Sequence, residues 1–309
     1  MADSPKTGMI GLGNMGGRIA RRIRDGGYPI AGYDASPAAV EQSGVTAAAS
    51  VSDLVGHCEV VFLSLPDSRV IEAVVYGEDG LLASARAGQV VIDLSTADPG
   101  SSARIHDALA AKGVEFIDAG ISGGAAAAER GTLVIMAGGS AAPLTALAGV
   151  FETFSSAVHH MGEPGSGHTT KVLNNFLNAI ALAATAEAMV AGRKAGLDLA
   201  QLLDVLNHST GVNYATLNRF PHVIEGDYLE GGLTNELMAK DMRLYLALLQ
   251  QLGVTSFTGK ACLGAFDLAG ALGYGKQISN RVVDAIGDVA GGVRLQDYER
   301  TVDPGGESR

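Results

Sequence analysis

Residues 7–23 read TGMIGLGNMGGRIARRI, and this stretch decides the fold. A short apolar run comes first, then three spaced glycines, then apolar residues at helical spacing, which predicts a strand, a tight turn and a helix. Gly11 permits the turn, Gly13 lets the backbone approach a pyrophosphate, and Gly16 lets the helix pack close to the strand. The free N–H groups of the helix start would bind the phosphates. The predicted dinucleotide site consists of Gly11, Leu12, Gly13, Asn14, Met15 and Gly16.

The second predicted strand, residues 30–33, ends at Asp34. A carboxylate at this place can accept hydrogen bonds from both ribose hydroxyls of an adenosine and would repel the 2′-phosphate of NADP. Residues 35–38 contain no arginine that could hold such a phosphate. The sequence therefore predicts NAD, with NADP less favoured. Asp34 with Ser36 and Pro37 could also cap the next helix, and the two roles are compatible.

Further apolar segments recur at the spacing of a parallel sheet. Strands are predicted at 60–65, 90–94, 114–117 and 133–137, with helical stretches at 69–82 and 142–153. Strands of this kind are buried on both faces, and ligands bind outside their carboxyl ends. Leu65, Pro66 and Thr96 would then border the cofactor, although they could also be ordinary loop residues. We expect an α/β fold whose N-terminal domain is of the Rossmann-type, doubly wound class.

A glycine-rich turn follows the strand at 114–117. It contains Ser122, Gly123 and Gly124 before a possible helix at 125–128. Two glycines after a serine leave backbone N–H groups available to a bound anion, and a substrate carboxylate would suit them. The alternative is a flexible turn without function.

A second, all-α domain is predicted to begin near residue 164. Residues 161–167 are rich in glycine and proline, and no strand-like alternation recurs beyond them. The predicted domains are 1–163 for dinucleotide binding and 164–309 for substrate binding and oligomerisation. Helices are expected at 168–191, 199–208, 214–224, 234–252, 260–272 and 279–290, followed by a loose tail at 301–309.

The first helix of this domain is apolar except for one face. Lys171, Asn174, Asn175 and Asn178 share that face because they are three, four and seven residues apart. Since asparagine is a poor helix former, this polar face invites a functional interpretation. The alternative is a solvated first turn.

Composition narrows the classes of partner. The net charge of the 309-residue chain is -11, which disfavours nucleic acid and anionic lipid and leaves a small molecule as the expected partner. Cys58 and Cys262 are too few for a disulfide framework or a metal site, so we expect no metal and a reducing, cytoplasmic setting. Neither a signal peptide nor a membrane span is expected. The mean hydropathy of +0.21 hints at apolar surface buried between subunits.

These motifs, in this order, resemble the β-hydroxyacid dehydrogenase family, which includes 3-hydroxyisobutyrate dehydrogenase and tartronate semialdehyde reductase. The resemblance rests on four segments that cover most of the chain. They are the glycine loop 11–16, the segment 118–124 with 131–133, Gly167 with 171–175, and Lys240 with Asp241.

The resemblance implies roles for individual residues. Lys171 would act as general acid and base while a hydride passes between the hydroxyl carbon and the nicotinamide, and Asn175 would hold the substrate or the lysine in line. Ser122, Gly123 and Gly124 would bind the substrate carboxylate. Lys240 would lie against the cofactor or substrate, oriented by Asp241. A homodimer or homotetramer would form through the helical domain.

One departure bears on the substrate. Residues 119–120 are Ala-Gly where the family usually shows Ala-Pro, so the loop into the carboxylate site could be looser or shaped for another acid. Retention of Lys171 disfavours the imine-reducing relatives that replace it. Residues 207–219 could contribute to substrate choice, although Asn213, Tyr214 and Arg219 could equally be ordinary surface groups.

The expected function is an NAD-dependent dehydrogenase that interconverts a short 3-hydroxy acid and its semialdehyde. A tartronate semialdehyde reductase or a related reductase is the first alternative. The second is a catalytically silent, cofactor-binding scaffold.

Overall fold

The computed structural model describes residues 4–296, and the predicted tail at 301–309 lies outside them. The chain forms two compact units. The first holds the residues up to Phe176 together with Asp241–Ser256, and the second holds Leu177–Lys240 and the chain from Phe257 onward. Residues 164–176 therefore belong to the same compact unit as the sheet. The predicted boundary between residues 163 and 164 separates two domains by sequence and stays a prediction.

The first unit is built on one eight-stranded sheet with the order β3-β2-β1-β4-β5-β6-β7-β8. All neighbouring strands are parallel except β6 and β7. The α/β, Rossmann-type prediction is therefore confirmed. The strands are β1 (Thr7–Ile10), β2 (Ile30–Tyr33), β3 (Thr46–Ala47), β4 (Val60–Leu63), β5 (Val90–Asp93), β6 (Glu115–Ser122), β7 (Leu133–Gly138) and β8 (Ser155–Gly162).

Helices flank this sheet, and its central strands are buried on both faces because successive side chains point to opposite sides. On one face Phe62, Phe151 and Phe154 form edge-to-face ring contacts with centroids about 6 Å apart. On the other, Leu63 and Phe116 belong to a second apolar cluster. The helices up to β8 are α1 (Gly16–Asp25), α2 (Pro37–Ser43), α3 (Val51–His57), α4 (Ser68–Tyr76), α5 (Leu81–Ser84), α6 (Pro99–Ala110), α7 (Gly124–Arg130), α8 (Ala141–Ala146) and α9 (Ala148–Phe151).

One strand pair departs from the parallel arrangement of the sheet, because β7 runs antiparallel to β6. The connection between them is the reason. At about 1.5 Å per residue, the seven-residue α7 extends only about 10 Å, whereas the eight residues of β6 extend about 26 Å. A helix this short cannot carry the chain back to the start of β6, as a parallel crossover requires.

Two strands were not expected. The two-residue β3 is too short to leave a pattern, and β8 lies at the sheet edge, where most of its side chains are exposed. Its polar residues, among them His159 and His160, remove the apolar alternation that would reveal a strand. The expected helix at 142–153 is divided into α8 and α9.

The second unit is helical, as predicted, although several expected helices are shorter or divided. Their bounds are α10 (Ser166–Lys194), α11 (Leu199–Asn207), α12 (Tyr214–Asn218), α13 (Phe220–Val223), α14 (Asn235–Gln251), α15 (Gly259–Ala269) and α16 (Val282–Val289). A π-helical turn at Gly270–Tyr274 follows α15, and a 3₁₀ turn at Ser279–Arg281 precedes α16. Of these elements, the first turns of α10 and most of α14 lie in the first unit.

Helix α10 is long and apolar enough to cross a membrane by composition alone, with a mean hydropathy of 1.2 over its most apolar window. Half of that window is buried within the chain. Such burial is typical of a core helix, which has the same composition.

Candidate functional site

The glycine loop has the shape that a pyrophosphate requires. Gly11 has a positive φ of 91°, and a side chain there would strike the backbone of Ser64. A side chain at Gly16 would strike the carbonyl oxygen of Gly11, so the turn packs closely on α1. At Gly13, in contrast, an added Cβ would meet no atom within 4 Å. The three glycines therefore combine a tight turn with open space on the ligand side.

The N–H groups at the start of α1 have no side-chain cap, and that of Gly17 donates to the carbonyl oxygen of Gly13 at 3.0 Å. The N-cap residue, Met15, makes no side-chain capping hydrogen bond, and the first turn contains no acidic residue. These N–H groups and the positive end of the helix dipole suit a phosphate. Residues of the loop thus fit a dinucleotide, with Leu12 buried beneath them and Asn14 exposed.

Asp34 lies directly beside this loop. One carboxylate oxygen accepts a hydrogen bond from the N–H of Leu12 at 2.7 Å, and the other accepts from the N–H of Ser36 at 2.8 Å. Ser36, rather than Asp34, is the N-cap of α2. Asp34 therefore holds the glycine loop against the end of β2, and each of its oxygens keeps a lone pair for a ribose hydroxyl.

A cavity of about 400 Å³ opens beside the end of β2. Tyr33 and Ala35 line it on one side, and Arg69 and Val70 from α4 line it on another. Its remaining lining is largely aliphatic, which suits an adenine ring. Arg69 is an exposed cation in the same lining as Tyr33 and Ala35, the two sequence neighbours of Asp34. A second cavity of similar volume, between α8, α9 and β8, contains none of the predicted site residues.

The ends of β4 and β5 are tied together at the carboxyl edge of the sheet. The hydroxyl of Ser95 accepts a hydrogen bond from the N–H of Leu65 at 2.9 Å. Pro66 is exposed and Thr96 half-buried at this edge. Leu65, Pro66 and Thr96 therefore lie where a parallel sheet binds its ligands, next to the glycine loop that follows β1.

The predicted anion loop follows β6 without interruption. Gly123 and Gly124 have positive φ values of 123° and 67°, and both are exposed. An added Cβ at Gly124 would meet no atom within 4 Å, so the loop borders open space. Ser122 is the half-buried last residue of β6. Side chains alternate along a strand, which puts Ser122 on the same face of β6 as Gly120 and Asp118.

Lys171 lies against that face. An added Cβ at Gly120 would be only 2.5 Å from the Cβ of Lys171, so the lysine stem touches the strand backbone. Lys171 is 8% exposed and Asn175, one turn further along α10, is 5% exposed. The interpretation of this face as a solvated turn is therefore wrong for these two residues, although Asn174 beside them is exposed.

The start of α10 is anchored by a buried polar network. Both oxygens of Asp118 accept backbone hydrogen bonds at 2.7 Å, one from Gly165 and one from His168. The His168 ring is 2.7 Å from the hydroxyl of Ser102 and 3.2 Å from the carbonyl oxygen of Asp93. Burial raises the pKa of Asp93, the strand partner of Asp118.

Asn175 has a buried acidic partner. Its amide donates a hydrogen bond of 2.5 Å to the carboxylate of Asp241 on α14. Asp241 was expected to orient Lys240, and the structure shows that it binds Asn175. Lys240 itself is half-buried on α14 in the second unit, and its contact with cofactor or substrate stays a prediction.

Residues 207–219 have mainly structural contacts within the second unit. Asn213 is the N-cap of α12 and forms a capping box with Thr216. Arg219 donates hydrogen bonds to Asn178 and Asn280 at 3.0 and 2.7 Å, and burial lowers its pKa. Tyr214 is 60% exposed.

The sequence analysis missed two residues: Asp118, which binds the start of α10, and Arg69, which lines the cavity beside β2. Asp118 was grouped with the substrate motif, yet it is fully buried and binds the start of α10. A signal existed, since an aspartate inside a run of buried strand residues needs hydrogen-bond donors. Arg69 was not considered, although it falls in the first turn of a helix that begins at the ligand edge of the sheet.

Two family models match the chain. Residues 6–162 match the model described as the NAD binding domain of 6-phosphogluconate dehydrogenase. Residues 165–286 match the model described as NAD-binding of NADP-dependent 3-hydroxyisobutyrate dehydrogenase. The two matches meet between residues 162 and 165 and together cover most of the chain.

Individual relatives are dehydrogenases of several hydroxy acids. The chain is 36% identical to the NAD-dependent L-serine dehydrogenase of Pseudomonas aeruginosa over 278 residues, which are 87% of this chain and 93% of that protein. It is 31% identical to the 2-(hydroxymethyl)glutarate dehydrogenase of Eubacterium barkeri over 286 residues, covering 92% and 95% of the two chains.

A solved relative has the same architecture. The structure of 3-hydroxyisobutyrate dehydrogenase from Mycobacterium tuberculosis with L-serine is 27% identical, with a TM-score of 0.84, and covers 92% of this chain and 99% of its own. The glycine loop, the α/β and helical organisation and these matches lead to one conclusion. The chain belongs to the β-hydroxyacid dehydrogenase family and is an NAD(P)-dependent dehydrogenase that acts on CH–OH groups.

Proposed function

We propose that the chain interconverts a short 3-hydroxy acid and its semialdehyde, with NAD as the cofactor and Lys171 as general acid and base. The observation that carries this proposal is the buried Lys171 packed on Gly120 of β6, with Ser122 following on the same face of the strand. The base thus lies on α10, and the loop that would bind the carboxylate follows β6, the strand on which the start of α10 packs.

The residues suggest a division of labour. The N–H groups around Gly123 and Gly124, with the hydroxyl of Ser122, bind the substrate carboxylate and fix the reacting carbon. Lys171 accepts the hydroxyl proton during oxidation and returns it during reduction. Bound NAD supplies the hydride acceptor. Asn175, held by Asp241, keeps its side chain fixed beside the lysine and hydrogen-bonds the substrate hydroxyl or Lys171.

The preference for NAD rests on Asp34, whose carboxylate lies between the glycine loop and α2. The family description of NADP-dependent 3-hydroxyisobutyrate dehydrogenase, and a 25% identical structure named Psf3 in complex with NADP+, favour the other cofactor. Arg69 is the cation that could accommodate a 2′-phosphate. We propose that repulsion by Asp34 outweighs it, because Arg69 is exposed and screened by solvent.

Exposed apolar side chains support a homo-oligomer. In the second unit Leu177, Val205, Tyr214 and Leu217 are each more than half exposed, at 64%, 59%, 60% and 54%. Large apolar groups that are left in water on one unit suit a subunit interface. Light scattering coupled to gel filtration would measure the mass, and a monomer at micromolar concentration would refute this part of the proposal.

The test of the function is a panel of hydroxy acids with both cofactors. It should contain 3-hydroxyisobutyrate, L-serine, L-threonate, 2-(hydroxymethyl)glutarate and the acid that yields tartronate semialdehyde, with reduced nicotinamide measured by absorbance. We expect the highest kcat/KM for a short 3-hydroxy acid with NAD. A higher value for reduction of tartronate semialdehyde would favour the semialdehyde reductase instead.

Lys171→Ala is the matching variant, with Lys194→Ala on the same helix as control. We expect Lys171→Ala to lose turnover while the affinity for NAD stays close to that of the wild type, and Lys194→Ala to remain active. Normal turnover by Lys171→Ala would refute the assigned role. Cofactor binding without turnover of any acid in the wild type would favour the scaffold hypothesis.

A further inference from the structure

Helix α10 meets strand β6 at a point where a side chain cannot fit. A Cβ added to Gly120 would lie 2.5 Å from the Cβ of Lys171 and 2.9 Å from its Cγ, and real Cβ atoms essentially never come closer than 3.0 Å to a neighbour. The lysine stem therefore rests directly on the strand backbone. In this chain, glycine at position 120 leaves the space that the lysine stem occupies.

Two further glycines bring the backbones together one turn earlier. A Cβ added to Gly138 on β7 would lie 2.5 Å from a carboxylate oxygen of Asp118 and 2.7 Å from the N–H nitrogen of Gly167. A Cβ added to Gly167 would strike the carbonyl oxygens of Asp118 and Met136. The start of α10 is thus in backbone contact with both strands.

Asp118 locks the helix into this contact. Its fully buried carboxylate accepts from the N–H groups of Gly165 and His168, both at 2.7 Å. Hydrogen bonds from free N–H groups of a helix start to a carboxylate are charge-assisted and oriented by the helix dipole. Asp118 precedes Gly120 by two residues and shares its face of β6, so the same strand face carries the anchor of the helix and the contact with Lys171.

We propose that Gly120 and Asp118 are positioning residues for Lys171: together they seat α10 on β6 so that the lysine stem has one fixed path toward the substrate. This inference rests on the proposed role of Lys171. Neither residue acts on the reacting atoms. Their function is to remove freedom from a long, flexible side chain whose amine must meet a hydroxyl proton at hydrogen-bond distance.

The decisive variant is Gly120→Ala. To reach the ordinary contact distance of 3.4 Å, the new methyl group and the lysine stem must separate by about 1 Å, and a displacement of about 1 Å at a reacting group can cost about 100-fold in rate. We expect kcat to fall between 10-fold and 100-fold, while the Kd for NADH, measured by fluorescence, stays within about twofold. The expected range follows from the same principle of orientation.

Gly56→Ala is the matched control, because an added Cβ at this glycine of α3 would meet no atom within 4 Å. Asp118→Asn is the second variant: it keeps the shape of the side chain but turns one acceptor into a donor that faces a backbone N–H. We expect it to lower kcat as Gly120→Ala does. In both variants the pH dependence of kcat should change, since Lys171 is moved, and Gly56→Ala should keep the wild-type profile.

Several outcomes would overturn the proposal. The first is a folded Gly120→Ala protein whose kcat is within twofold of the wild type. The second is a Gly120→Ala protein that loses NADH affinity in parallel with kcat. The third is a Gly56→Ala protein whose kcat falls as far as that of Gly120→Ala. If Gly120→Ala does not fold, Asp118→Asn decides by the same criteria, and failure of both to fold would show a role in stability instead. An inactive Lys171→Ala beside a fully active Gly120→Ala would refute only the positioning role, whereas an active Lys171→Ala would refute the proposed function.

Discussion

Replacement of Asn175 by alanine should destabilise the protein measurably. The side chain is 5% exposed and donates a 2.5 Å hydrogen bond to Asp241, which is 2% exposed. Loss of a hydrogen bond to a buried charged group costs about 1.5–3 kcal/mol, and the higher helix propensity of alanine returns roughly 0.5 kcal/mol. The expected net loss in unfolding free energy is therefore about 1–2.5 kcal/mol.

Thermal unfolding followed by circular dichroism measures this loss. At about 2–4 °C per kcal/mol, the value for domains of about 150–250 residues, Tm should fall by about 2–10 °C. Asn174→Ala is the control: the neighbouring side chain is exposed, and its amide makes only a 3.4 Å hydrogen bond to Asn175. We expect its Tm to stay the same or rise slightly. A Tm for Asn175→Ala within about 1 °C of the wild type would refute the claim that this pair is a stabilising contact.

Three further predictions concern other parts of the first and second units. Gly16→Ala should abolish cofactor binding, because its methyl group would strike the glycine loop, and isothermal titration with NADH would measure this. Cys58 and Cys262 should react with a thiol reagent at pH 8 only after unfolding, since burial raises their pKa values to about 11 and about 12; rapid reaction of the native protein would contradict this. Burial raises the pKa of Asp93 above 3.8, so the native state binds this proton more tightly than the unfolded chain does. The free energy of unfolding therefore falls as pH rises and Asp93 ionises. Asp93→Asn should gain Tm relative to the wild type as pH increases from 4 to 8, and a constant difference would refute that reasoning.

The cofactor half of the fold could be predicted because its signals are local. The glycine spacing and the apolar run of β1 lie within residues 7–23, and Asp34 follows the next strand. By contrast, the reversal of β7 depends on the length of the short α7, and the exposed edge strand β8 has no alternating pattern. Both are decided by the geometry of the whole sheet, which a local pattern does not contain.

The site shows the same distinction. Lys171 and Asn175 were found from their shared helix face and from the family resemblance. The carboxylates that hold this helix were not found, because they are distant in sequence from the groups they bind. Asp118 is 47 and 50 residues from Gly165 and His168, and Asp241 is 66 residues from Asn175. Gly120 was noted only as a departure from the usual Ala-Pro. Its contact with the lysine stem depends on the approach of two elements that no spacing in the sequence reveals.

The double contact of Asp34 has a consequence for protein engineering. A redesign toward NADP would ordinarily replace this acidic residue with a small or basic one, yet the N–H groups of Leu12 and Ser36 both depend on its oxygens. Such a variant would loosen the phosphate loop while it removes the repulsion, and binding of either cofactor would suffer. Asparagine is the better first choice, because it keeps an acceptor for Leu12 and abolishes the charge. Redesign of cofactor preference in this chain therefore starts with a neutral isostere and adds cations, such as the one already present at Arg69, in a second round.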